Sequence, residues 1–403
     1  MHQAVAKDSQ MNIPPAHQGS WAALITVSIA TFILVCSEFL PIGVLNLVAQ
    51  EFNISSGRAG LMISLPGAVA ALAACLLPVI SKALDRRLIL LGLTLICLIA
   101  NLLTAYAENF ELLLFSRVLL GFAIGGFWAI AIALSPRLAP QHLPIAKATA
   151  FMMVGVTVAT VFGVPLGTWL SQFWGWRSAF LITAAITLIL IVAEWIFLPR
   201  LKPLSSLKFK ELPILFKVPK ARLGIAITLL IGIAHFSSFS YLAPFFKHSA
   251  HFDTALISLL LFAYGIAGVV GNAFSGWCSH INVRYSMIVV GLCLGVVFLL
   301  FPYFAIYTSG AFILTALWGF AFGAFPTTAN IWMLIHAPHV VEKGMPLFVG
   351  MFQVNIALGA FLGGVVVDRY NENILMSSVL IFVALALAML FTFAQGVHNP
   401  KHL

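Results

Sequence analysis

Apolar residues fill long runs along this chain, separated by short polar turns. A membrane-spanning helix needs about 20 largely apolar residues, and twelve runs reach that length. The first six cover roughly 21–48, 57–81, 88–107, 111–136, 145–172 and 177–198. The second six cover roughly 221–246, 254–279, 284–305, 309–336, 344–368 and 373–395. Lipid cannot satisfy open backbone groups, so such runs predict helices. A spanning β-barrel would show strict alternation, which is absent.

One polar stretch breaks the pattern. Residues 199–220 (PRLKPLSSLKFKELPILFKVPK) hold prolines at 199, 203, 213 and 219 and six Lys or Arg. They predict a cytosolic linker between two halves. The expected fold class is all-α: a polytopic membrane protein with 12 transmembrane helices in two pseudo-symmetric six-helix bundles. Its parts would be a tail at 1–20, a bundle at 21–198, the linker, a bundle at 221–395 and a tail at 396–403. Residues 1–20 lack the features of a secretory signal, and the run from Trp21 is too long for a signal core.

The halves repeat. GFAIGGF at 121–127 matches GFAFGAF at 319–325, and Gly163 and Gly167 match Gly359 and Gly363. SEFLP at 37–41 corresponds to SYLAP at 240–244. A membrane repeat of this length suggests two bundles flanking a central site.

Composition supports the same picture. The chain is 62% hydrophobic and 8% charged, against about 25% charged in soluble domains. The net charge is +9 and the pI about 9.5, but the cations sit between apolar runs. Topology explains that better than nucleic-acid binding. With the N-terminus inside, sixteen Lys or Arg fall on the inner side and only Arg58, Arg177, Lys247 and Arg369 outside. The positive-inside rule then puts both termini in the cytosol. Cys36, Cys75, Cys97, Cys278 and Cys293 all lie within apolar runs and predict small packing residues. No phosphate loop, clustered metal ligands or catalytic pair appears, so neither cofactor, metal site nor enzyme activity is expected.

A charge inside a span needs a partner or water. Three are found: Glu38, Arg117 and Glu194. Glu38 lies roughly 25 Å from the inner edge and Arg117 roughly 9 Å from the outer edge, so the two reach a similar depth. Glu38 is the candidate proton site, with Arg117 biasing its charge; a fixed structural ion pair is the competing reading. Glu194 should reach water at the cytosolic edge. His235 titrates near neutrality and could carry a proton or simply pack. Ser240 and Tyr241 add hydroxyls nearby. Phe127 and Trp128 offer flat surfaces to a ring, or face lipid. Asn330, Gln353 and Asn355 could hydrogen-bond a neutral polar solute or bridge helices. Pro41, Pro66, Pro165, Pro244 and Pro326 are expected to interrupt their helices.

These features resemble the major facilitator superfamily, and the resemblance covers nearly the whole chain. SEFLPIGVL at 37–45 is similar to the drug/proton antiporter family, especially its bacterial sugar-efflux members. LDRR at 84–87 resembles the family's G-x-x-x-D-R-x-G-R loop, with Ser81 and Leu88 where glycines belong. That implies a gating role for Asp85, Arg86 and Arg87. Arg117 matches the arginine linked with proton coupling, and GVPLG at 163–167 resembles the exporter signature. WGWRSAF (174–180), AHFSSFSYLAPF (235–246) and FQVNIALGAFLGG (352–364) also look like the sugar-efflux group. Purine-nucleoside exporters share the FLP segment, DRR and GGFWA (125–129). The resemblance implies proton-coupled antiport export of a sugar or sugar derivative, with a nucleoside or amphenicol-like drug as the alternative. Its partners would be the small-molecule solute, protons and the lipid bilayer. The expected setting is the bacterial cytoplasmic membrane, with the chain acting as a monomer.

Overall fold

The computed structural model of the chain describes residues 19–81, 84–140, 143, 145–201, 209–338 and 340–392. The two expected tails lie almost wholly outside these residues, as do Lys7, Lys82, Lys401 and linker residues 202–208. Among the described residues, twelve helices are long and apolar enough to cross a membrane, and no strand occurs.

In the first half these helices are α1 (Trp21–Glu51), α2 (Ser56–Leu77), α3 (Arg86–Ala105), α4 (Phe110–Leu138), α5 (Ile145–Trp174) and α6 (Trp176–Phe197). In the second they are α7 (Pro219–His248), α8 (Thr254–Ser279), α9 (Ile281–Phe304), α10 (Thr308–His336), α11 (Val341–Arg369) and α12 (Glu372–Thr392). The turns are short because side chains restart the helices. Asn109 accepts from Leu112 N–H at 2.8 Å, Asp253 from Leu256 N–H at 2.7 Å and Asn371 from Ile374 N–H at 2.9 Å. Each satisfies a backbone donor that the first helical turn leaves open. Between α8 and α9 there is barely a turn: the kink is one extended residue, Asn282 (φ −160°, ψ 111°), the second residue of α9.

The prolines act less uniformly than expected. α1, α2, α5 and α10 run unbroken through Pro41, Pro66, Pro165 and Pro326. Only α7 divides, into Pro219–Phe239 and Leu242–His248, two residues before Pro244. Packing on neighbouring helices holds the other four in line despite the missing backbone bond.

The sequence repeat is a packing repeat. In the first bundle α4 lies against α2, with Gly121 on the backbone of Pro66 and Gly125 on that of Ala70. In the second, α10 lies against α8, with Gly319 on the backbone of Tyr264 and Gly323 on that of Gly268. A Cβ at any of the four would strike main chain. Likewise α5 packs on α1 and α11 on α7. Between the halves, α2 meets α11 and α5 meets α8.

The linker is more than a tether. Phe209–Lys217 forms a 3₁₀ helix whose Leu215 is fully buried against Gly344 at the start of α11.

Close approach at Gly125 makes a direct prediction. Gly125→Leu should destabilise the detergent-solubilised protein by about 1–3 kcal/mol or prevent folding, as overpacking does. Gly92→Ala, inside α3 where nothing lies within 4 Å, should not lower the melting temperature and should raise it slightly, since Ala favours a helix over Gly by about 0.5–1 kcal/mol. Thermal unfolding of the two variants side by side checks this.

Candidate functional site

Where the bundles meet they enclose a cavity of about 320 Å³. α1 and α5 line it from the first half, and α7, α8 and α10 from the second. Its composition changes along its length. Phe39, His235, Phe236, Phe239, Tyr264 and Phe322 line one part; His235 sits near the middle of α7. Asn272, Thr327 and Asn330 lie toward the linker end of α8 and α10. Asn330 is six residues from the end of α10, about 9 Å along the axis.

The aromatic end is rigid. His235 stacks on Phe322, and Trp318 Nε1 donates to His235 Nδ1 at 3.1 Å. Phe39 of α1 stacks on Phe236 of α7 across the seam, ring centroids 6.2 Å apart. Tyr264 stacks on Phe239 at 4.7 Å, and its buried hydroxyl has no hydrogen-bond partner. At the other end Asn330 Nδ2 donates to Pro326 O at 2.8 Å, and Thr327 donates to Asn272. Among the described residues, no Asp, Glu, Lys or Arg lines the cavity. A solute there meets aromatic faces, a few amides and hydroxyls, and no fixed charge.

Glu38 is not in the cavity lining; its neighbour Phe39 is. The Glu38 side chain is 2% exposed and lies beside Gln353 of α11, close enough to hydrogen-bond. One oxygen of each side chain is buried without a partner. The carboxyl thus sits in the seam between the halves, held by an amide and no cation.

Arg117 does not pair with it. The guanidinium is wholly buried, donates to Ser37 O at 3.3 Å and to Thr104 Oγ1, and lies 5.0 Å over the Phe180 ring. It touches the residue before Glu38, but no ion pair forms between the two among the described residues. Depth alone brought the residues level; which way each helix turned decided the rest.

Glu194 departs from expectation. It is fully buried, and Thr94 Oγ1 donates to its Oε1 at 3.0 Å. Its helix ends three residues later, at Phe197, yet no part of the side chain reaches solvent. It does not neutralise Arg117. Their contacts Thr94 and Thr104 lie ten residues apart on α3, about 15 Å, where unit charges interact by only about 1 kcal/mol at an effective dielectric of 20.

The remaining candidates divide. Asn330 and His235 line the cavity. Phe127 is wholly buried in the core of the first bundle, and Trp128 packs against that core half-buried. Ser240 donates to Phe236 O at 2.7 Å and Tyr241 to Ala360 O at 2.9 Å; both are fully buried. Asn355 Nδ2 donates to Thr228 O at 3.2 Å, bridging α11 to α7. None of these five side chains lines the cavity, and Gln353 is at the seam. Phe39, Tyr264, Asn272 and Phe322 do line it and were not singled out from the sequence. The signal available was Tyr264, Gly268 and Asn272, spaced by four on one face of an otherwise apolar run.

The Asp85–Arg87 loop fastens the linker. Asp85 Oδ1 accepts from Arg87 N–H and Leu201 N–H, both at 2.9 Å, and Arg86 N–H donates to Leu201 O at 2.9 Å. Arg87 donates to Trp195 O and stacks on that ring, and Arg86 Nη1 donates to Ser81 O at 2.9 Å. At the opposite face, Asp368 of α11 bonds across to the start of α2. Ser55 Oγ donates to its Oδ2 at 2.6 Å and Gly57 N–H to its Oδ1 at 2.8 Å.

Comparison with known proteins places this geometry. Residues 27–354 match the Major Facilitator Superfamily. The chain is 30% identical over 386 residues to the transcription regulatory protein OpdE of Pseudomonas aeruginosa, covering 94% of this chain and 96% of that one. A bacterial homologue of the human lysosomal transporter Spinster, inward-facing and unoccupied, superposes with a TM-score of 0.72 at 15% identity, over 93% of this chain and 97% of that one. The nucleoside transporter NupG superposes with a TM-score of 0.72 at 19% identity, over 92% and 98%. The two structures share the fold.

The Asp368 contacts predict how the face opposite the linker opens. Asp368→Ala removes both bonds, each charge-assisted and worth about 1.5–3 kcal/mol. Spin labels at Asn53 and Asn371 should show a broader, longer distance distribution in the variant by double electron–electron resonance. An unchanged distribution would mean the tie does not hold the halves.

Proposed function

Because the chain belongs to the Major Facilitator Superfamily, we propose that it is a proton-coupled antiporter that exports a small neutral solute across the bacterial cytoplasmic membrane. The transporter class is that of the family; coupling, direction and solute are the proposal. The observation that carries it is the position of Glu38: an acid sealed in the seam, beside an amide from the opposite bundle. Any rocking of the halves must change what surrounds it.

The cycle follows from the cost of burying charge. An ionised carboxylate enclosed without a cation carries a penalty of several kcal/mol. A carrier with neither proton nor solute therefore resists closing its seam. Protonation removes the charge and permits one passage. Solute seated against Phe39, the neighbour of Glu38, rearranges the seam around the acid and permits the other. Exchange of one for the other is antiport. His235 is already engaged with Trp318 and stacked on Phe322, which suits positioning of solute at the aromatic end.

Orientation rests on the cations. The linker face carries the basic cluster of 199–220 and the Asp85–Arg87 loop, which favours a cytosolic linker. The solute is the finer question. A sugar or sugar derivative is one reading. The cavity lining, six aromatic rings with few free amide and hydroxyl groups, favours the alternative: a nucleoside or amphenicol-like molecule with a planar ring and fewer hydroxyls to satisfy.

Everted-vesicle transport over a panel of sugars, nucleosides and amphenicols, with and without a pH gradient, tests the reading. Wild type should accumulate a ring-bearing solute only with the gradient. Glu38→Gln should reach the membrane normally, lose gradient-driven accumulation and retain solute exchange. Asn330→Ala should raise KM about tenfold, the loss of roughly 1.4 kcal/mol. Uptake that ignores the gradient would overturn antiport, and gradient-driven accumulation in Glu38→Gln would remove that residue from the mechanism. No flux for any solute would instead favour a regulatory role like that in the OpdE name.

A further inference from the structure

The first bundle holds a second acid that the cycle above does not use. Glu194 lies three residues before the linker-side end of α6, yet it is fully buried. Thr94 donates to Oε1 at 3.0 Å, while Oε2 is buried with no partner. The ionisable groups around it are accounted for. From α3, the Cys97 thiol lies nearby; Arg86 donates to Ser81, and Arg87 to Trp195. From α4, Arg117 is bonded to Thr104, ten residues beyond Thr94 or about 15 Å along α3, and Arg137 lies near Arg86. The charges of α1 are Glu38, beside Gln353, and Glu51, paired with Arg177. None of the described cations forms an ion pair with Glu194. A buried carboxyl served by one hydroxyl holds a proton at less cost than a charge.

One turn nearer the linker end lie Leu90, four residues before Thr94, and Leu198, whose N–H donates to Glu194 O at 3.0 Å. Leu90, Leu198 and Leu201 are buried in one cluster at this end of the bundle. Leu201 is gripped from both sides: its N–H donates to Asp85 Oδ1 and its carbonyl accepts from Arg86 N–H, each at 2.9 Å. The same loop that fastens the linker therefore holds this leucine. On the inner side a polar stripe continues along α3. Thr94, Cys97, Asn101 and Thr104 follow at helical spacing, and Asn101 Nδ2 donates to Ser37 Oγ at 2.9 Å. It ends at Arg117, bonded to Thr104 and to Ser37 O.

We propose that Glu194 is a second proton-binding carboxyl, at the linker-side end of this stripe, and that the Asp85–Leu201 clasp gates its exchange with water. The site extends the proton-coupled reading above, but its proton binding can be measured without transport. When the clasp opens, Glu194 releases its proton to the linker-side water; when it closes, the leucines return. This gives the Asp85 loop a task inside its own bundle.

Infrared spectroscopy of the purified protein in lipid, titrated with pH, reads the carboxylic C=O stretch directly. Glu194→Gln should delete one pH-dependent band that Glu38→Gln leaves intact. Thr94→Val, which keeps the acid, should shift the frequency of that band. Asp85→Ala should speed its hydrogen–deuterium exchange about tenfold, the effect of losing a charge-assisted bond. A carboxyl spectrum unchanged by Glu194→Gln and Thr94→Val would overturn the proton site. Exchange in Asp85→Ala equal to wild type would overturn the gate. Flux that ignores a pH gradient while the Glu194 band still titrates would sink antiport and leave this site standing.

Discussion

Close backbone contact between helices is the constraint on which this architecture rests. In lipid, apolar side chains gain nothing by leaving the solvent, so helices associate through packing and hydrogen bonds. Here the packing is glycine on backbone. α4 sits on α2 through Gly121 and Gly125, and α10 on α8 through Gly319 and Gly323. Each pair lies within its half, and the same close contact recurs on the seam that divides the halves, where Gly265 of α8 sits on the backbone of Val161 of α5 and Gly67 of α2 on that of Ala357 of α11.

That division decides where chemistry can occur. The first bundle holds buried polar groups away from the seam: Arg117, Asn101 and Glu194 are engaged by hydroxyls, carbonyls and a ring rather than by opposite charge, and each keeps one buried atom without a partner. The seam holds groups whose surroundings must change. Glu38 and Gln353 face one another there, each with an oxygen left unpaired. The aromatic cavity adjoins them through Phe39 without including either side chain.

The two faces are fastened differently. Opposite the linker, Asp368 reaches from one half to the other and satisfies Ser55 and a backbone N–H. At the linker face, Asp85 spends the same kind of bond within the first half, on Leu201. The linker's own helix, with Leu215 buried on Gly344, joins that face to α11. A carboxylate capping a backbone donor is a small, breakable contact, suited to a face that opens and recloses.

What the sequence determined was whatever depends on composition and length. Twelve spans, the pairing of halves and the basic linker are local facts, written in runs of apolar residues and in repeated glycines. The depth of Glu38 and Arg117 was also legible, since rise per residue is constant. The tertiary structure decided everything that depends on which way a helix faces. It turned Arg117 to Thr104 and Ser37 and left Glu38 to Gln353. It buried Phe127 and Tyr241 in packing, brought Tyr264 and Asn272 into the cavity, and shut Glu194 away from solvent. In a span apolar on all sides no face is marked by polarity, so rotation about the helix axis is set only when neighbouring helices close in.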